Sequence, residues 1–151
     1  IKNNIEVLDQ NMFLVYTGIN RFSADIEKDK IKNIEKNFNH LDKIKTITDS
    51  FIKNLKNGLT IDHCADLMNE YWNIKKMLSH KVSNSYINEL YNEGLNNGAI
   101  GGKIIGSGGG GFLLFCCKKK NQNKFFKGFK KLPIIKFNFT DTGSEIIFKN
   151  I

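Results

Sequence analysis

The most constraining feature of this 151-residue chain is a glycine-rich stretch, from Gly98 to Gly111, that leads into the apolar run of residues 112–117. More than half of the chain's 13 glycines lie in it. Glycine loses the most backbone entropy on folding and has no side chain to pack, so this density indicates a backbone requirement. Successive free N–H groups in such a loop form a nest that binds anions, most often phosphate. The stretch therefore predicts an anion-binding loop.

Two common phosphate-binding motifs do not account for this stretch. The Walker loop needs Ser or Thr after its Gly-Lys pair, but here Ile104 follows, and Asn97 stands where the first glycine belongs. Residues 106–111 satisfy the Rossmann pattern G-x-G-x-x-G letter by letter. That motif must open a helix, whereas the apolar run that follows is typical of a buried strand. Both motifs are therefore disfavoured.

A glycine loop between two strands, residues 103–105 and 112–117, fits the pattern better. The alternative is a hairpin turn without a ligand, which needs only two to five loop residues with one or two glycines. Gly106 and the four consecutive glycines 108–111 are more than such a turn requires. The candidate phosphate-binding residues are Gly106, Ser107, Gly108, Gly109, Gly110 and Gly111.

A second candidate segment follows the predicted strand of residues 12–16. The strand ends at Thr17-Gly18, and a helix is predicted to begin at Ser23. Arg21 lies between them, and an arginine can bind an oxyanion through two parallel hydrogen bonds. Thr17, Gly18 and Arg21 are therefore possible ligand contacts, although a solvated loop arginine explains Arg21 equally well.

Composition narrows the class of protein. No run approaches the roughly 18 apolar residues that a membrane span needs. The three cysteines, Cys64, Cys116 and Cys117, have neither a disulfide pattern nor zinc spacing, and the histidines show no metal-ligand spacing, so we expect buried reduced thiols, no metal site and a cytoplasmic protein. The net charge is +8, but the lysines are interleaved with acidic residues, which disfavours nucleic-acid binding.

The order of predicted elements indicates an α+β fold. A strand is followed by three or four helices, then by the strand–glycine loop–strand unit and a short basic helix, and finally by a hairpin of residues 135–139 and 145–148. The first helical stretch is either one long helix or two with a break near residues 37–40. We expect a single domain over residues 1–151, with a mostly antiparallel sheet and helices packed on one face.

The glycine stretch resembles the third conserved motif of the GHMP kinases, a family named after the galactokinase, homoserine, mevalonate and phosphomevalonate kinases. Gly102 and Ser107 stand where the family usually has Ala. Residues 14–21, 67–76, 82–84 and 87–91 look like the sugar-phosphate branch of the family, and within it the heptose 7-phosphate kinases. The matching motif residues are Gly98, Ala99, Gly101, Lys103, Gly106, Gly108, Gly109, Gly110 and Gly111.

The resemblance implies a ferredoxin-like C-terminal domain of an ATP- and Mg²⁺-dependent sugar-phosphate kinase. In this family the catalytic base and a further phosphate loop lie in an N-terminal domain, which these residues lack. The resemblance therefore implies no catalytic residue in this chain, an inactive isolated chain, and the N-terminal kinase domain of the same protein as its partner. A homodimer is compatible with the fold.

Three alternatives remain at this stage. The chain is a stand-alone, non-catalytic domain that binds a phosphorylated metabolite, an assembly domain, or part of another GHMP small-molecule kinase. A glycine loop this dense argues against pure assembly.

Overall fold

The computed structural model describes residues 2–20, 23–140 and 142–148. Six α-helices, one short 3-10 helix and four strands are assigned in this part of the chain. In chain order the elements are α1 Lys2–Asn11, β1 Met12–Tyr16, α2 Ser23–Lys32, α3 Phe38–Asn57, α4 Ile61–Met77, α5 Ser85–Asn96, β2 Gly101–Ile104, β3 Phe112–Cys116, the 3-10 helix Lys119–Asn121, α6 Gln122–Gly128 and β4 Ile134–Ile135.

The four strands form one sheet in the order β2-β3-β1-β4, and every neighbouring pair is antiparallel. Phe13 of β1 lies opposite Phe115 of β3. The predictions of an α+β fold and of a mostly antiparallel sheet are confirmed. No helix of the described residues is long and apolar enough to cross a membrane.

Apolar side chains cover both faces of the sheet, because β1 and β3 are continuous apolar runs and successive side chains on a strand point to opposite faces. Phe13 and Phe115 pack with residues of α5 and α6, such as Phe125. Met12 and Leu114 pack on the other face with residues of α1 and α4. Helices therefore pack on both faces of the sheet, whereas the order of elements predicted helices on one face only.

Helix α4 packs on β2 and reaches its outer edge through Asn69. The side chain of Asn69 accepts a hydrogen bond from Gly102 N–H at 3.0 Å and donates one to the Ile100 carbonyl at 3.2 Å. A Cβ at Gly101 would lie 2.6 Å from the Ala65 carbonyl oxygen, so only glycine permits this approach. Strand β2 begins at Gly101, earlier than the predicted residue 103, because Gly101 already lies in register with Cys116 of β3.

Most predicted helix boundaries are confirmed. Thr60 caps α4 by accepting a hydrogen bond from His63 N–H at 3.2 Å, and Asn84 caps α5 by accepting one from Ile87 N–H at 2.9 Å. The predicted helical stretch is two helices, α2 and α3, with turns at residues 33–37 between them. The three cysteines are free and buried, as expected.

Two parts of the chain differ from the prediction. Helix α1 was not anticipated, although its Leu8 is buried in the core. The predicted C-terminal hairpin is wrong for the described residues: the final strand, β4, spans only Ile134–Ile135, and residues 145–148 form no strand. Ile146 and Ile147 are 84% and 94% exposed, so no layer of the described structure buries a second strand. Asp141, in the predicted turn, lies outside the described residues.

Candidate functional site

The glycine loop connects β2 to β3, as predicted. The φ angles of Gly106, Gly108, Gly109 and Gly111 are 69°, 105°, 73° and 78°. Only glycine adopts these left-handed conformations without strain. The density of glycine therefore follows from the course of the backbone.

The loop is held between two other segments of the chain. Gly109 N–H donates to the Val82 carbonyl at 2.6 Å, and Gly111 N–H donates to the Ile19 carbonyl at 3.0 Å. A Cβ at Gly108 would lie 2.7 Å from the Val82 carbonyl oxygen, so a side chain at this position would displace the loop. The segments after β1 and before α5 therefore fix the shape of the loop.

The structure brings the predicted Thr17-Gly18 segment to this loop. The backbone N–H and the hydroxyl of Thr17 both donate to the Gly111 carbonyl, at 2.8 and 2.9 Å. The Thr17 hydroxyl also accepts a hydrogen bond from Ile19 N–H at 3.3 Å, and the residue is 1% exposed. Its only hydroxyl proton is thus used inside the protein, so Thr17 positions the loop.

Gly18 has a φ of 76°, and open space surrounds the position where its Cβ would lie. Gly111 combines a φ of 78° with the same open space. These two positions leave the main chain accessible where the segment after β1 meets the loop. Arg21, the third predicted contact in this segment, lies outside the described residues.

A buried lysine that the motif search did not single out supports the start of the loop. Lys75 of α4 is 4% exposed, and its Nζ donates to the carbonyls of Gly106 at 2.5 Å and of Ile104 at 3.4 Å. Burying an ammonium group is costly unless hydrogen bonds compensate. The sequence carried a signal, because Lys75 lies three and seven residues after Trp72 and Met68, both on the apolar face of α4.

Two main-chain amides of the glycine loop have no hydrogen-bond acceptor in the described part of the chain. Among the described residues, the N–H groups of Gly108 and Gly110 donate to no backbone or side-chain acceptor. Ser107, between Gly106 and Gly108, is buried. A phosphate-binding role of the loop would rest on these two amides, because unpaired main-chain N–H groups in a glycine loop are the donors that bind anions. Within the described ranges no three His, Cys, Asp or Glu side chains cluster closely enough to hold a metal ion.

Three solved structures of kinases share this fold. The L. major mevalonate kinase in complex with R-mevalonate is 23% identical, with a TM-score of 0.68 over 81% of this chain and 38% of that protein. The Methanococcus jannaschii mevalonate kinase is 22% identical, with a TM-score of 0.67 over 89% and 42% of the two chains. A D-glycero-D-manno-heptose 1-phosphate kinase from Bacteriodes thetaiotaomicron is 19% identical, with a TM-score of 0.63 over 95% and 37%.

The chain therefore spans less than half the length of these kinases. No curated protein sequence matches it. The family model described as "GHMP kinases C terminal" matches residues 51–131, more than half of the chain. The matched span contains α4, α5, the glycine loop and both strands that flank the loop. On this match and the shared fold, the chain belongs to the C-terminal domain family of the GHMP kinases.

Proposed function

We propose that this chain is the C-terminal part of an ATP-dependent sugar-phosphate kinase whose acceptor is heptose 7-phosphate. Membership of the GHMP kinase C-terminal family supports the kinase class. The observation that carries the proposal is the glycine loop, in which the Gly108 and Gly110 amides have no acceptor among the described residues while the Gly109 and Gly111 amides hold the loop in place. The heptose acceptor rests on the likeness of residues 67–76 and 82–84 to the sugar-phosphate branch.

Catalysis of phosphoryl transfer consists mainly of positioning and electrostatic stabilisation. In the proposed role the Gly108 and Gly110 amides donate to phosphate oxygens and stabilise the charge that develops during transfer. Lys75 and Thr17 fix the two ends of the loop through the Gly106 and Gly111 carbonyls. ATP, with Mg²⁺ on its phosphates, would supply the phosphoryl group. The base that deprotonates the acceptor hydroxyl would come from the N-terminal domain.

The test is phosphoryl transfer by the full-length protein that contains this chain. The protein is incubated with ATP, Mg²⁺ and one acceptor at a time: heptose 7-phosphate, heptose 1-phosphate, mevalonate, homoserine or galactose. Product formation is followed by ³¹P NMR. We expect a new phosphate ester with heptose 7-phosphate and no transfer by the 151-residue chain alone. Transfer to mevalonate alone would show that the acceptor is mevalonate and not heptose 7-phosphate. Binding of sugar phosphates without any transfer would favour the non-catalytic alternative.

A glycine variant links the activity to the loop. Gly109→Val places a β-branched residue at a φ of 73° and should remove most of kcat in a protein that stays folded. Gly143→Val is the control, because Gly143 is exposed and open space surrounds its Cβ position. Full activity of a folded Gly109→Val protein would exclude the loop from the reaction.

Arg21 stays a predicted contact of the sugar phosphate. In the same assay Arg21→Ala should raise the KM for the acceptor, because a bidentate contact to its phosphate is lost. An unchanged KM would remove Arg21 from the site.

A further inference from the structure

A cavity lies away from the glycine loop, between helices α1, α3 and α4 and one face of the sheet. Its volume is about 290 Å³, near the lower end of the roughly 300–1,000 Å³ that is usual for small-molecule sites. Its wall is almost entirely apolar. The main contributors are Leu8, Met12, Phe51, Met68 and Leu114.

One cation interrupts this apolar wall. Lys103 of β2 lines the cavity, and its Nζ lies 4.2 Å from the centroid of the Tyr71 ring. Among the described residues no carboxylate forms an ion pair with it. Burial lowers the pKa of Lys103, so the cavity disfavours its charged form. A ring face compensates an ammonium only in part, whereas an anion beside it would favour the charge.

We propose that this cavity binds a small amphiphilic anion, with the apolar body against the α1, α3 and α4 side chains and the negative head group at Lys103. The apolar wall supplies the free energy of burial, and the single ammonium supplies the preference for charge. A carboxylate and a phosphate monoester share the required chemistry. The inference does not depend on the kinase reaction, because none of the candidate phosphate-binding residues, Gly106 to Gly111, lines this cavity.

The test is calorimetric titration of the full-length protein with decanoate, held below its micellar concentration, and with decyl phosphate and decanol. We expect both anions to bind one site, each at least tenfold more tightly than decanol. Whichever anion binds more tightly identifies the head group.

Variants assign the site. Lys103→Met should weaken binding of the anions at least tenfold and leave decanol unchanged. Lys53→Met removes the same charge from an exposed position of α3 and should change nothing. Leu67 also lines the cavity, and Leu67→Trp should abolish binding of all three probes by filling it.

Three outcomes would overturn the inference. They are an absence of binding, equal affinity for decanol and decanoate, or anion binding that Lys103→Met leaves unchanged in a folded protein. A folded Leu67→Trp protein that binds decanoate normally would place the ligand elsewhere and contradict it as well.

Discussion

Lys75 is a side chain that supports the start of the glycine loop. Its ammonium donates to the Gly106 and Ile104 carbonyls from a position that is 4% exposed. Hydrogen bonds that involve a charged group contribute roughly 1.5–3 kcal/mol each, net of solvation. Helix α4 thereby fixes the loop through one side chain.

Lys75→Met should therefore lower the free energy of unfolding by about 3 kcal/mol, the low end for two such bonds because the one to Ile104 is long, and speed amide exchange in the loop. Urea unfolding and hydrogen exchange measure the two effects. Lys76→Met is the matched control, because it removes the same charge one position later and, among the described residues, its Nζ lies over the Trp72 ring, 5.4 Å from the centroid, and donates no hydrogen bond. Equal stability of the two variants would show that the Lys75 contacts do not hold the loop.

Alanine substitutions at two glycines of the loop distinguish the cost of a positive φ angle from the cost of a steric clash. Gly111→Ala should cost roughly 1–2 kcal/mol, because φ is positive but the Cβ position is open. Gly108→Ala should cost more, because its Cβ would also lie 2.7 Å from the Val82 carbonyl oxygen. Chemical denaturation of both variants gives the comparison. Equal losses would mean that the loop moves away from Val82 without cost.

At the scale of single residues, backbone requirements were readable from the sequence and side-chain roles were not. Glycine density identified the loop because few other structures tolerate it. Thr17 was predicted as a ligand contact, but its hydroxyl proton goes to the Gly111 carbonyl, 94 positions away in the chain. No local pattern reveals a pairing at that separation. Lys75 was missed because its acceptors are backbone carbonyls, which sequence motifs do not encode.

At the scale of elements, one side chain of α4 pairs with main-chain groups at the open edge of β2. Asn69 accepts hydrogen bonds from Gly102 N–H and from the Tyr91 hydroxyl, the latter at 2.6 Å, and donates to the Ile100 carbonyl. One side chain thus joins α4, α5 and β2. Covering an edge in this way also prevents pairing with other chains.

Asn69→Ala should destabilise the protein by roughly 1–3 kcal/mol for each buried group left without a partner. Thermal unfolding measures the loss. Asn73→Ala, at an exposed position one turn later on α4, should stay within about 0.5 kcal/mol of the unchanged protein. If the two variants melted alike, Asn69 would not hold the edge.

Helix α2 is tied to the segment after α4 by Asp29. A hydrogen bond from the Ser79 hydroxyl lowers the pKa of the Asp29 carboxyl, and the nearby charges of His80, Lys81 and Lys32 add to this. A depressed pKa stabilises the fold above the unfolded value, about 3.9, and this stabilisation is lost as the pH falls through the folded pKa.

The difference in unfolding free energy between the unchanged protein and Asp29→Asn should therefore be constant above about pH 5 and shrink below pH 4. Urea titrations at several pH values measure it, with Asp49→Asn on exposed α3 as the control. A difference that stayed constant down to pH 2 would contradict the role of the carboxylate.

Elements with strong periodicity or caps were predictable, and those that depend on distant packing were not. Thr60 and Asn84 predicted the starts of α4 and α5, because a capping side chain bonds to the backbone N–H only three residues later. Helix α1 carries few apolar residues, and its burial depends on Leu8 reaching the same core as Met68 and Cys116. The C-terminal hairpin had the right alternation, but alternation stabilises a strand only where another layer covers its apolar face.

At the scale of the whole molecule, the fold class followed from the order of elements and the glycine motif. The extent of the candidate site could not be predicted in the same way. The family match covers residues 51–131, whereas the Thr17-Gly18 segment that packs on the loop lies outside it. The net charge of +8 is compatible with the anionic ligand proposed for this loop. The site therefore draws on parts of the chain that are far apart in sequence.

The most direct test of the central claim is an NMR titration that follows individual glycine amides. The full-length protein, labelled with ¹⁵N-glycine, is titrated with ATP and Mg²⁺ and then with heptose 7-phosphate. We predict that the Gly108 and Gly110 amide protons move downfield as they bind phosphate, while Gly58 and Gly143, outside the loop, keep their positions. Saturable binding of either ligand with no shift at Gly108 or Gly110 would contradict the account of the glycine loop as the phosphate-binding site.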